Sequence, residues 1–344
     1  MAEYGIVLLN LGGPDSVAAV EPFLYNLFCD PDIFKFPGGK FTQKWFARLI
    51  STLRAKSASH HYLEIGGKSP LGEYTEFQAR SLEAQLRPAL NCRVYVGMRY
   101  WQPLTAEAIA SAIADGARQL LLLPLYPQYS MTTTGSSFNE AHRCLARSSR
   151  PGIAVSEVRS YPDHELYVTA VCERIEESLQ QFTPEERQNL ALVFSAHGLP
   201  VKFIAQGDTY LREVQCSVAA VLQKLQASSP QAGFYRSVKS VLSFQSKVGP
   251  MKWLTPSTIA TIAGLAGQGI TNLLIVPISF VADNLETLYE LNIQLRAIAI
   301  QHGMRKYFVA PSLNQSATFI AALQQLTLQA IAASEKITEG NKHE

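Results

Sequence analysis

DGARQLLLLP, residues 115–124, and QGITNLLIVP, residues 268–277, match at an offset of 153 residues. Gly116 answers to Gly269 and Pro124 to Pro277. In each copy a glycine follows a segment of helical periodicity, as a C-terminal cap does. An unbroken run of Leu, Ile and Val comes next, and a proline ends it. Such a run, without polar alternation, suits a strand buried on both faces, the condition of a parallel sheet covered by helices. Met twice, the pattern predicts two similar open α/β halves.

Working outward, short apolar runs alternate with helix-length amphipathic segments along the chain. Strands are expected at 5–10, 92–98, 119–125, 152–157, 189–195, 240–245, 272–279 and 306–310. The fold class is therefore α/β: two similar domains, each an open parallel sheet flanked by helices, with a cleft between them. The boundary is placed at 160. Residues 1–160 form the first domain. Residues 161–330 form the second, with a last helix free to pack back on the first, and 331–344 form a polar tail. In open α/β sheets ligands sit beyond the carboxyl ends of the strands. Arg99, His197 and Asp283 all fall just after expected strands.

The bulk numbers exclude several classes. The 344 residues are 47% apolar and 17% charged, enough for a full core. A net charge of +2 gives no argument for nucleic-acid binding. The five cysteines form no C-x-x-C pair, so a site built from local thiolates is not expected. The N-terminus, MAEYGIVLLNLGG, lacks a basic n-region. The longest apolar runs, near 119–127 and 271–282, are interrupted by Pro124 and Pro277, and a spanning helix needs about 20 apolar residues. A reduced, cytoplasmic setting is expected.

Several segments could carry chemistry. FSAHGLPVKF (194–203) sets His197 at the end of a buried run. It is either a histidine satisfied within a tight turn or a neutral imidazole acting as base or metal ligand. In FVADNLETLYELN (280–292), Asp283 and Glu286 have capping-box spacing. Glu286, Glu290 and Gln294 also share a helical face, and two stacked acids are costly unless a cation or proton intervenes. FQSKVGPMKWLTP (244–256) offers either a surface loop with Trp253 plugging a core, or a flat aromatic ligand stacked on Trp253 near Ser246 and Lys247. SMTTTGSSFN (130–139) opens a helix, where anions can bind. GLAGQG (264–269) precedes a strand rather than a helix, so it is not a dinucleotide loop. Residues 40–56 are basic and amphipathic, with Trp45, Phe46, Leu49, Ile50 and Leu53 on one face. Core packing and contact with a membrane surface or greasy ligand both fit.

VLLNLGGPDS, GKSPL, VGMRYWQPLT, LYPQYS with TTGSS, FSAHGLP with its following GD and Tyr, QSKVGPMKWL and PISFVADNLETLYE together resemble the ferrochelatase family, in order from about residue 5 to 325. The resemblance implies two Rossmann-like domains around a porphyrin cleft, and insertion of Fe(II) into protoporphyrin IX, giving protohaem and two protons. It implies His197 and Glu286 as catalytic and metal-binding groups, with Glu290 on a proton or metal path. It implies Leu11, Ser69, Arg99, Tyr100, Ser246 and Trp253 as porphyrin contacts. Asn284 stands where many relatives have His, Asn292 and Gln294 where they have acids, and Leu63 and Glu64 where some have arginines. Met131 stands where cluster-bearing relatives have a cysteine, so no iron–sulfur cluster is expected. The partners implied are porphyrin and Fe(II), with peripheral membrane contact through 40–56 and no nucleic acid. Coproporphyrin as substrate, a cobalt chelatase of another tetrapyrrole, and a non-catalytic tetrapyrrole or metal carrier remain open.

Overall fold

The computed structural model describes residues 3–34, 38–247, 249 and 251–340. Val248 and Pro250 of the QSKVGPMKWL segment, and residues 341–344 of the expected tail, lie outside the described residues. The chain divides into two compact units. One comprises Met1–Tyr161 with Gln315–Glu344, the other Pro162–Asn314.

The first unit holds β1 (Tyr4–Asn10), β2 (Cys92–Met98), β3 (Gln119–Pro124) and β4 (Ala154–Glu157), all parallel, in the order β2-β1-β3-β4. Every residue of β1 is buried, as an unalternating apolar run requires. Val7, Leu9, Leu120 and Leu122 share a face and pack against Ala108, Ile109, Phe138 and Ala141 of two covering helices. Burying each large aliphatic side chain contributes about 1.5–3 kcal/mol. The helix Ala317–Gly340 belongs to this unit, so the boundary expected at residue 330 falls at Asn314. Its buried Phe319, Ile320 and Leu323 explain the difference: that face packs on the helix Leu71–Leu86 and on β3 and β4.

The second unit repeats the plan. It holds β5 (Leu190–His197), β6 (Lys239–Gln245), β7 (Asn272–Pro277) and β8 (Lys306–Val309), parallel, in the order β6-β5-β7-β8. Ala191, Val193, Leu273 and Ile275 pack against Ile262 and Leu265 on one helix and Leu291 and Leu295 further on. The glycines of the repeat end their helices as expected, Gly116 at φ 88° and Gly269 at φ 82°, values an L side chain resists.

Strand register carries the repeat to the sites. Leu9 pairs with Pro124 and Ser195 with Pro277. Leu11 of the LGGP stretch is therefore the topological counterpart of His197 in HGLP. The same position is apolar in one unit and ionisable in the other.

Candidate functional site

His197 is the last residue of β5 and pairs with Gln245, the last of β6. The chain turns at once: Gly198 N–H donates to Gln245 O at 2.8 Å. A side chain on Gly198 would meet Gln245 O at 2.5 Å and Trp253 Cε3 at 3.2 Å, so only glycine fits the turn. The backbone then zips to the Trp253 segment, with Val201 N–H donating to Lys252 O and Leu254 N–H to Leu199 O. Sequence reasoning named His197 and Trp253 separately, and the structure brings them to one turn. The Tyr210 hydroxyl lies 2.9 Å from His197 O, fixing the backbone beneath the imidazole. The ring meets Phe280 edge-on, centroids 6.1 Å apart.

Beyond β7 the chain enters a π-helical segment, Glu286–Gln294, which carries both acids. Such wide turns recur at functional sites. The expected capping box is displaced by one residue. Asn284 Oδ1 accepts from Thr287 N–H at 3.0 Å, and Thr287 Oγ1 accepts from Asn284 N–H at 3.0 Å. Asp283 is buried and takes the Thr287 hydroxyl and the Asn314 amide. Glu286 is thereby released from capping.

The Glu290 carboxylate is gripped by Ser246. Ser246 N–H donates to Oε1 at 2.6 Å, and the Ser246 hydroxyl donates to Oε2. Ser246 sits at φ 65°, left-handed backbone that a non-glycine residue adopts at a cost. The structure thus makes Ser246 a clamp on Glu290, whereas the resemblance implied only porphyrin contact.

Burial holds the His197 imidazole below its ordinary pKa, opposed by the Glu290 charge. Burial pushes Glu286 above the usual carboxylate range. Burial also raises Glu290; the Ser246 hydroxyl and the His197 charge pull it back, and Glu286 pushes it further up. The acid whose charge acts on His197 is therefore Glu290, and Glu286 acts on Glu290. Near pH 7 this cluster offers a neutral imidazole beside carboxylates that accept protons readily. Among the described residues, no group of three or more His, Cys, Asp and Glu side chains converges to hold a metal ion.

The first unit treats its candidates differently. Leu11 is half-buried, its N–H donating to Asn10 Oδ1 and its carbonyl accepting from Tyr100 N–H. Ser69 is buried against Gly13. Arg99 and Tyr100, expected as porphyrin contacts, are held in an internal network. Tyr100 is 0% exposed and its hydroxyl donates to Asp30 at 2.6 Å. Arg99 lies 3.0 Å from the same carboxylate, donates to the Ser136 hydroxyl at 2.8 Å, and stacks on the Tyr100 ring. Both side chains join that network around the buried Asp30. Asp30 and Ser136 were missed. Their signal is faint, since an acid near a helix end and a serine in a polar loop are common on surfaces.

The helix containing residues 40–56 runs from Lys40 to Glu64. Its buried face includes Ala47, Ser51 and Tyr62, while Trp45, Leu49 and Leu53 lie on its exposed side, at 62%, 42% and 72% exposure. Phe46 and Ile50 of the same stripe are half-buried, so the stripe packs in part. Arg48 stacks over Tyr25 and Arg54 over Phe28.

The family model described as Ferrochelatase matches residues 3–331. The ferrochelatase of Geotalea daltonii is 44% identical over 321 residues, covering 93% of this chain and 96% of that protein. That of Aquifex aeolicus is 43% identical over 322 residues, covering 94% and 97%. Among solved structures, SirB from Bacillus subtilis with Fe3+ gives a TM-score of 0.56 at 14% identity, over 97% of this chain and 98% of that one. The sirohydrochlorin chelatase SirB from Bacillus subtilis subspecies spizizenii, in complex with cobalt, gives 0.53 at 11% identity over 95% of each. At those identities the likeness concerns the fold.

Proposed function

The chain belongs to the ferrochelatase family, and from that premise we propose how its residues carry the reaction. It is a metal chelatase, a lyase of haem biosynthesis that inserts Fe(II) into a porphyrin with loss of two protons. Two obstacles define the chemistry: two pyrrole N–H protons must leave, and a hydrated ion must shed water. We propose that His197 takes or relays the pyrrole protons, since its environment keeps the imidazole neutral. Glu290 receives them, and Glu286 continues the path. Imidazole and carboxylate are workable ligands for Fe(II), and so small a donor set suits an ion that must be released. The observation that carries the reading is geometric: His197 ends β5 beside Gln245 at the end of β6, and the next residue, Ser246, holds Glu290 by its N–H and its hydroxyl.

Protoporphyrin IX is the proposed substrate, with coproporphyrin the runner-up; the apolar Leu11 favours the less acidic macrocycle. Trp253 offers a face for stacking, and Leu11 and Ser69 are retained as proposed contacts. No resident iron–sulfur cluster is proposed, because Met131 offers no thiolate. An anaerobic metallation assay with both porphyrins and with Fe(II) and Co(II), followed by absorbance, tests the reading. Fastest turnover with protoporphyrin IX and Fe(II) is expected; binding without turnover would make the chain a carrier.

A cytoplasmic protein with peripheral membrane contact is also proposed. No helix among the described residues is long and apolar enough to cross a membrane. The exposed Trp45, Leu49 and Leu53 alternate with Lys44, Arg48, Arg54 and Lys56, the pattern of an interfacial helix. Leu53→Glu should weaken sedimentation with anionic vesicles and leave metallation in detergent unchanged.

A further inference from the structure

Ser195 is a hydroxyl inside LALVFSAH, a run otherwise apolar up to its terminal histidine, and it is fully buried. It donates to Gln245 Oε1 at 2.7 Å. On its other side Thr258 Oγ1 lies at 3.2 Å, and Ser243 Oγ lies 3.0 Å from Thr258 Oγ1. Ser243 also reaches the Phe194 carbonyl at 3.5 Å. Gln245 is 4% exposed, and its amide nitrogen is shared between Glu290 Oε2 at 3.4 Å and Glu286 O at 3.5 Å. Three hydroxyls in the core of a parallel sheet are costly unless each finds a partner. Here they partner one another and end on the amide that faces Glu290.

We infer that Gln245 is a positioning residue for Glu290, and that Ser195 and Thr258 fix which way its amide points. The inference rests on the reading of Glu290 as a proton acceptor. A carboxamide is nearly symmetric in shape but not in polarity, its oxygen accepting and its nitrogen donating. With the oxygen on Ser195, the nitrogen faces the carboxylate. Turned over, the oxygen would oppose Glu290 Oε2, acceptor against acceptor, and Ser195 would have to accept. Ser195 has one proton. To give it to Gln245, Ser195 must accept from Thr258, whose single proton is then spent; Ser243 gives its own proton to Thr258 or to the Phe194 carbonyl. The chain is polarised one way, from Thr258 through Ser195 and Gln245 to Glu290. Ser246 holds the carboxylate from its own backbone and hydroxyl, and Gln245 adds a donor that Ser246 does not supply.

The test is steady-state metallation under anaerobic conditions with Fe(II) and titrated porphyrin, with melting temperature measured alongside. The variants are Gln245→Ala, Thr258→Val, Thr258→Ser, Ser195→Ala and the Ser195→Ala/Gln245→Ala pair. Gln245→Ala should lower kcat about tenfold, the scale of a lost hydrogen bond to a charged group, with porphyrin KM unchanged. Thr258→Val keeps the shape without the hydroxyl and should lower kcat; Thr258→Ser should restore it. The double variant should be no slower than Gln245→Ala, because Ser195 acts only through that amide. Losses that multiply in the double variant would overturn the inference. So would wild-type kcat in Thr258→Val or Gln245→Ala, or kcat losses that follow melting temperature in Thr258→Ser as well. Should Ser195→Ala fail to fold, the Thr258 pair and Gln245→Ala decide the matter. Glu290→Gln separates the layers: wild-type turnover there removes the proton-acceptor reading, whereas a slow Glu290→Gln beside a normal Gln245→Ala removes this inference alone.

Discussion

At the scale of single residues, environment decides which proton sits where. His197 is held below the ordinary imidazole value of about 6.5, so it presents a free lone pair at neutral pH. The acid limb of the kcat/KM profile should therefore lie below pH 6.5, and a limb at or above about 6.5 would contradict the assignment. Glu286 is shifted the other way. Its folded carboxyl holds a proton more tightly than the unfolded one, so stability falls as pH rises through the folded value. Glu286→Gln should raise the melting temperature at neutral pH. The gain should fade as pH falls towards about 4, where both states are protonated. The same variant should lose turnover, which scanning calorimetry across pH and a metallation assay would show together.

Elements hold those residues in place. Ser246 at φ 65° gives both its N–H and its hydroxyl to Glu290. Ser246→Gly relieves a left-handed strain of about 1–2 kcal/mol that serine already bears, whereas Ser246→Ala retains it. Urea titrations should accordingly show Ser246→Ala as the less stable of the two, with turnover reduced in both. Asn284→Ala should cost about 1 kcal/mol by removing the cap on Thr287 N–H. The strands were legible because their apolar runs do not alternate, and the glycines and prolines around them mark helix ends and strand ends. The site was only partly legible. His197 stood out at the end of an apolar run, and the Glu286–Glu290 spacing suggested a shared face. The displaced cap did not stand out, because D-N-L-E-T contains two overlapping candidates and only the π-helical start chooses between them. The Arg99–Asp30 pair was hidden because 69 residues separate its members. Ser195 gave the clearest signal that went unread, a hydroxyl in a run that should have been wholly apolar.

For the whole molecule, the same plan is met in two parallel sheets, and only one of them places a histidine at the end of its central strand. Leu11 and His197 are the same topological position put to different use. The chain's end also has a defined role. The helix Ala317–Gly340 buries Phe319, Ile320 and Leu323 in the first unit. Stopping the chain after Ser316 should deprotect β1 and β3 in hydrogen exchange and leave β5 and β7 comparatively protected. Equal loss in both sheets would contradict that division.

The central claim is that the imidazole at the end of β5 moves the pyrrole protons. Its most direct test is to load His197→Ala with porphyrin, add Fe(II) without oxygen, and follow the free-base absorption bands in a single turnover. The account predicts a folded variant that binds porphyrin and metallates it about 10²–10⁴-fold more slowly than the unaltered protein. Metallation of the bound porphyrin at the unaltered rate would contradict it.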